Sequence, residues 1–258
     1  MSAAAAEETT PVAPSHASAL LASLSSFLTV AVHTLLHHRR LYPPETFLLA
    51  RAYNLPVRQS RHPGVCAWVR DAVAAAADQI RAGAVRSVAL VLHEPRAFAV
   101  VERWVFELRR FPTLPDERRR RRRQAAQEDH VGEHGVNWTD VNEALRGALR
   151  RLAYVGESVP PPPEGCTFTL AVELRDEALP PIRHPQLWIP SEPSLQPPTA
   201  SNPHTGSALG GASTTPIRSV QAGPLFFECW FEQGKGKPED CVGDTQDSDM
   251  YDKTPSSS

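Results

Sequence analysis

The chain has 258 residues, 41% of them hydrophobic and 22% charged, which is enough material for one large domain with a substantial core or two small ones. A formal net charge of −2 excludes a protein whose whole surface grips nucleic acid, because phosphate binding needs a concentrated positive field. The 25 prolines, about twice ordinary usage, exclude an all-regular domain without long loops.

Residues 1–14 are rich in Ala, Glu, Thr and Pro and read as a disordered arm. From Ala17 to His38 the chain is apolar on nearly every side of a helix, with Leu20, Leu24, Phe27, Ala31 and Leu35 on one stripe and Leu21, Leu28 and Val32 beside it. Such a helix is central and buried. Its run from Leu20 to Leu36 is short for a membrane span and interrupted by serines and threonines, so no membrane is expected. His37-His38 reads as a solvated helix end, where partial positive charge suits the C-terminal dipole. After Pro43-Pro44, residues Phe47 to Gln59 offer strand material broken by Asn54 and Pro56.

A second helix is predicted from Val65 to Arg81, with Val65, Val69, Ala72, Val73, Ala76 and Ile80 on one face and Trp68 at the edge of that stripe. Two strands follow, Ser87 to His93 and Val100 to Leu108, joined by a turn at Glu94-Pro95-Arg96 and expected to pair antiparallel. Residues 112–137 form a polar insertion containing six consecutive arginines, Arg118 to Arg123. A third helix is predicted to start near Thr139 or Asp140, where Asp140 as N-cap with Glu143 three residues on makes a capping-box pattern. Its stripe is Val141, Leu145, Ala148, Leu149 and Leu152, with Arg146 and Arg150 pointing away.

Beyond Pro160 to Pro163 comes a strand in which Cys166, Phe168, Leu170, Val172 and Leu174 alternate with more polar residues. Twelve of the 25 prolines fall between Pro160 and Pro203, and the stretch from Leu179 to Pro216 has no sustained period, so it reads as a long loop that is functional or disordered. Phe226 to Phe231 reads as the last strand, and residues 233–258 as a disordered acidic tail. The element order suits an α+β fold, with three helices packed on a mostly antiparallel sheet.

His130-Val-Gly-Glu-His134 matches the H-x-x-E-H arrangement of inverted zinc peptidases, in which two histidines one helical turn apart bind metal and Glu133 would handle a proton. Its context argues against a zinc hydrolase, because Gly132 interrupts what should be a stable helix and no apolar stripe frames it. Four cysteines without a C-x-x-C pair read as reduced thiols, and no nucleotide-binding or acyl-transfer motif appears. The arginine run reads as a solvated insertion, with nuclear import next, since Asp116, Glu117, Glu128 and Asp129 dilute any phosphate-binding surface. What remains unusual is a set of aromatics at edges: Trp68, Trp188 inside the proline-rich loop, and Trp230 on one face of the last strand with Phe226 and Glu228.

Phe27-Leu-Thr-Val-Ala-Val-His33, Leu41-Tyr-Pro43, Tyr53-Asn-Leu-Pro-Val57, His62-Pro63, Val105-Phe-Glu107 and Gly165-Cys-Thr-Phe-Thr169 together resemble the HORMA-domain accessory subunits of translesion DNA polymerase zeta, over roughly residues 17–175 and more loosely over 176–232. The resemblance implies a HORMA domain over 15–232, whose segment 176–232 is a C-terminal safety belt and terminal strand. It also implies a nuclear and cytoplasmic adaptor without catalysis, cofactor, metal or direct nucleic-acid contact. Such proteins hold a partner peptide as an added strand at the sheet edge while the belt closes over it. The implied peptide comes from the catalytic subunit of polymerase zeta, with Trp68 and Trp188 against its prolines. Glu228 and Trp230 fall where the family binds a deoxycytidyl-transferase inserter polymerase, and Arg146 where it makes a HORMA homodimer or heterodimer contact. A spindle-checkpoint or meiotic-axis adaptor of the same fold, binding a closure motif, is the alternative.

Overall fold

The structure is a computed structural model and describes residues 12–96, 99–112, 135–176, 178–181, 188–191 and 211–234. In chain order the elements are α1 (Pro14–His38), a 3-10 turn (Pro44–Thr46), β1 (Phe47–Ala52), β2 (Leu55–Ser60), α2 (Pro63–Arg81), β3 (Val85–His93), β4 (Val100–Glu107), α3 (Trp138–Ser158), β5 (Thr167–Leu174), β6 (Gly211–Ala222) and β7 (Leu225–Gly234).

The stripe of α1 is buried as its pattern requires: Leu20, Leu24, Phe27, Leu28, Ala31 and Leu35 are sealed in the main core. Phe27 carries the helix onto the sheet, packing edge-to-face on Phe106 of β4 at 5.9 Å and tilted on Phe227 of β7 at 5.5 Å. At 25 residues α1 is long and apolar enough to cross a membrane, longer than the run from Leu20 to Leu36 suggested, but most of its apolar window is buried inside the protein. It opens at Pro14, three residues ahead of Ala17, because proline at the first helical position lacks only an N–H that would have no intrahelical partner.

The far end of α1 corrects the expectation for His37-His38. Both rings are half-buried, they pack edge-to-face on each other at 5.0 Å, and His37 packs on Phe47 at 5.1 Å. Burial lowers the pKa of both, so they are held toward the neutral form instead of serving as a solvated cation. The cation at this end is Arg39, which is fully buried.

β1 and β2 form a hairpin laid along α1, with Tyr53 and Asn54 at φ 49 and 56. Two successive left-handed residues make the turn that matches strand twist. Asn tolerates that conformation, and Tyr53 is held in it by its hydroxyl donating to the Ser23 carbonyl at 3.4 Å. Pro56 does not break the strand: it sits within β2 opposite Arg51, in a two-stranded unit where a missing N–H costs little.

The main sheet has the order β5-β3-β4-β7-β6, with every neighbouring pair antiparallel. β6 corrects the loop expected through Pro216. Its own sequence has no apolar alternation across Ser213-Thr-Thr-Pro216, and it is a strand because β7 supplies a paired edge from Gly211 to Ala222. α3 carries a second correction: its N-cap is Asn137, whose side-chain oxygen accepts from Thr139 N at 3.1 Å and Asp140 N at 3.4 Å. Asp140 is the N3 residue and accepts from the Asn137 amide at 2.9 Å, so the helix starts one turn ahead of the predicted cap.

Candidate functional site

The two edges of the main sheet are built differently. β6 carries Pro216 beside a bulge between Pro216 and Arg218, and packs against α3. Proline and a bulge both blunt an edge against further pairing. β5, Thr-Phe-Thr-Leu-Ala-Val-Glu-Leu over 167–174, has no proline, no lysine or arginine, and pairs only with β3 among the described residues. Its outer row of N–H and C=O groups is a template for another strand. No β5 side chain is fully buried: Phe168, Leu170 and Val172 lie half-buried against the main core, as expected of an edge strand awaiting cover.

Beside this edge lies a groove of about 430 Å³ lined by Tyr42, Thr46, Ser60, His62, Gly64, Val65, Trp68 and Phe168. Local rules place each wall. Pro43 and Pro44 end the α1 connection and present Tyr42, whose ring meets Phe168 at 6.2 Å and 80°. His62 caps α2, its Nδ1 accepting from Gly64 N at 3.1 Å and Val65 N at 3.4 Å, which fixes the helix start at Pro63. Trp68, one turn on, stands at the edge of the α2 stripe and is 40% exposed, with its ring edge-to-face on Phe168 at 5.0 Å. Flat aromatic faces beside an open strand edge suit an extended segment carrying apolar or proline side chains.

The chain leaves the sheet at Leu174 on this edge and re-enters at Gly211 on the opposite one. Four strand spacings separate those edges, about 19 Å. The 36 intervening residues, 175–210, are therefore far longer than the crossing requires. Their start is fixed: Arg175 N donates to Ala84 O at 2.8 Å, while its guanidinium donates to Val85 O at 3.1 Å and Arg109 O at 2.8 Å. Within the crossing, Trp188 is half-buried against the main core while Leu179 and Ile189 are exposed. Trp188 thus anchors its segment to the fold, and among the described residues the Trp68 ring meets Phe168 and not Trp188.

Glu228 and Trp230 stand elsewhere, on the sheet face turned away from the helices, where Trp230 joins a small outer cluster of Ala89, Val91, Val100 and Val105. A shallow groove there holds alternating charges, and each arginine in it is engaged. Arg86 pairs with Glu173 at 2.9 Å, Arg103 with Glu232 at 3.0 Å and Arg109 with Glu107 at 3.3 Å, while Arg110 lies 4.0 Å from the Phe226 ring. Trp230 Nε1 donates to Glu232 at 2.6 Å, and Glu228 is exposed. Burial pushes the Glu107 carboxyl up, against the opposing pull of Arg109 and Arg86. Arg146 lies on α3, its guanidinium bonded to Glu143 one turn back at 2.9 Å. His130, Glu133, His134 and the run Arg118 to Arg123 lie outside the described residues. Among the described residues no group of three His, Cys, Asp or Glu could hold a metal ion.

In the sequence Phe168 is one apolar alternate of its strand, and Tyr42 carries no site signal of its own. Both line the groove, and only the pairing of β5 at the sheet's end, together with the α1–β1 connection, reveals it.

Residues 21–215 match the family described as the HORMA domain. The chain is 32% identical over 212 residues to the DNA polymerase zeta processivity subunit of Schizosaccharomyces pombe, covering 80% of this chain and 89% of that protein. It is 30% identical over 159 residues to the mitotic spindle assembly checkpoint protein MAD2B of Bos taurus, covering 60% and 65%. Among solved structures, a chain of the mitotic checkpoint complex superposes with a TM-score of 0.60 at 18% identity, over 84% of this chain and 99% of that one. HTP-2 of C. elegans bound to the HIM-3 closure motif superposes with a TM-score of 0.55 at 15% identity, over 81% and 88%.

Proposed function

The chain belongs to the HORMA-domain family, and on that footing we propose that it is a non-catalytic adaptor of translesion DNA synthesis, clamping a proline-containing peptide of the polymerase zeta catalytic subunit. The observation that carries this reading is the open β5 edge beside the Trp68–Phe168 groove, with an overlong crossing anchored by Arg175 at that same edge. The peptide adds as a strand on β5, its main chain supplying generic affinity and the groove selecting apolar and proline side chains. Residues 175–210 close over it as the belt, and their prolines reduce the entropy lost on closure. The identity to a polymerase zeta processivity subunit, over most of both chains, supports this branch of the family.

On this reading the domain spans residues 15–232, the protein acts in the nucleus, and the outer sheet face around Glu228 and Trp230 receives an inserter polymerase. The exposed guanidinium of Arg146 meets a second HORMA domain.

The test is calorimetric titration of the full chain with a synthetic proline-containing segment of the catalytic subunit. Trp68→Ala and Trp188→Ala should each weaken binding by about 2 kcal/mol or more, roughly 30-fold, with the thermal transition of Trp68→Ala little changed. Unchanged binding by the double variant overturns the peptide-site assignment. Preferential capture of a chromosome-axis closure motif would move the protein to another branch of the same fold.

A further inference from the structure

The β1–β2 hairpin presents a face that nothing in the described fold covers. Its inner residues, Ala50, Ala52, Leu55 and Val57, pack toward α1 and the main core. Its outer face is Leu49, Arg51, Pro56 and Arg58, with Leu49 opposite Arg58 and Arg51 opposite Pro56 in the register. All four are exposed, Leu49 at 64%, and Leu48 is exposed beside them. From Thr46 to Arg70 there is no aspartate or glutamate, while Arg51, Arg58 and Arg61 all fall in that stretch. None of these three forms an ion pair among the described residues. The neighbouring carboxylates are Glu45, just before the Thr46 whose carbonyl accepts from Arg61 N at 2.8 Å, and Glu157 of α3, whose effect on His37 and His38 opposes that of Arg58. The arginines of the outer sheet groove, by contrast, are already taken up by Glu173, Glu232, Glu107 and Phe226.

A patch that combines exposed leucine and proline with unpaired guanidinium groups is complementary to a segment combining carboxylates with apolar side chains. The chain contains one beyond β7: Asp247-Ser-Asp-Met-Tyr-Asp252, preceded by Glu239, Asp240 and Asp244. The path is short. β7 ends at Gly234, next to Gln233 opposite Glu102; Glu102 is paired with Arg39, the C-cap of α1, and two residues earlier His37 touches Phe47 at the base of the hairpin. The 13 residues from Gly234 to Asp247 reach about 43 Å when extended, more than this route needs.

We propose that residues 239–252 of the chain's own tail dock on the outer face of the β1–β2 hairpin, with Asp247, Asp249 and Asp252 meeting Arg51, Arg58 and Arg61 and with Met250 and Tyr251 covering Leu49 and Pro56. This inference does not depend on the peptide site at β5.

The experiment is backbone-amide NMR of the full-length protein beside a full-length Asp247→Asn, Asp249→Asn, Asp252→Asn variant. Docking gives shift changes concentrated in residues 48–61, independent of protein concentration and largely abolished in both directions by 0.5 M salt, because exposed charge pairs are screened there. Full-length Arg51→Glu, Arg58→Glu should release the tail, raising its cleavage rate by a low protease dose at least fivefold. Adding Asp247→Lys, Asp249→Lys to that variant should restore protection. Shift changes confined to the tail, changes centred on Arg86, Arg103 and Arg110, or changes that grow with protein concentration each overturn the proposal, as does a charge reversal that leaves tail cleavage unaltered.

Discussion

Replacing Arg39 by Met should destabilise the protein by about 3–5 kcal/mol, because it breaks a buried pair by removing one partner. Arg39 and Glu102 are only 1% and 2% exposed. The guanidinium donates to both Glu102 oxygens, with Nε at 3.0 Å from Oε2. It also donates to the carbonyls of Gly156 at 3.0 Å, Val159 at 2.8 Å and Pro160 at 2.5 Å, which lie where α3 ends. One side chain therefore ties the end of α1, the start of β4 and the end of α3, immediately before the proline run that leads into β5. With Arg39 gone, the Glu102 carboxylate keeps, among the described residues, only the Trp104 indole N–H at 3.1 Å, and three carbonyls lose charged donors. Methionine preserves the aliphatic packing, so the loss isolates the polar contacts. Converting Glu102 to Met as well removes the stranded charge and should restore about 2 kcal/mol relative to the sum of the single losses. The assay is equilibrium unfolding in urea with matched slopes. A loss below about 1 kcal/mol for Arg39→Met, or strict additivity in the cycle, refutes the reasoning.

The histidines give a pH dependence of definite sign. His33, His37 and His38 all have pKa values lowered by burial from 6.5, so below that pH the unfolded chain binds more protons than the native one. Stability is complete above about pH 6.5 and declines as pH falls below it; Glu107, shifted upward, acts in the opposite sense, so the urea midpoint is best compared at pH 7.5 and 5.5 in a Glu107→Gln background. A midpoint that is unchanged, or higher at pH 5.5, contradicts the buried neutral histidines. Cys229 is 3% exposed, and burial pushes its thiol up to about 12, so iodoacetamide at pH 7.5 should label Cys66 and Cys166 well before Cys229. Peptide mapping that finds Cys229 labelled as fast as Cys166 in native protein rules that packing out.

The three helices were legible because each carries a 3.6-residue stripe that has one way to be buried, and Trp68 was legible at the edge of such a stripe. β3 and β4 were legible as apolar runs joined by a short turn. Four features could not be read this way. Gly211–Ala222 is a strand because β7 offers it hydrogen bonds, not through any pattern of its own. Asn137 outcompetes Asp140 as the cap of α3, a choice between two adequate side chains made by where the helix packs. Arg39 and the His37-His38 pair look like solvated charge at a helix end, but Arg39 stays charged because Glu102 and three carbonyls offset its desolvation, whereas burial holds the two histidines toward neutral. Whether an edge of the sheet is open is likewise a property of strand order. Local pattern sets which segments are helical, where the prolines gather and that Trp68 borders a surface; strand order leaves β5, among the described residues, as the open edge with Phe168 and Tyr42 beside it. Burial stripes and hairpins are local in sequence, whereas the placing of β4 against β7 and the neutralisation of buried Arg39 join residues roughly 60 to 130 positions apart.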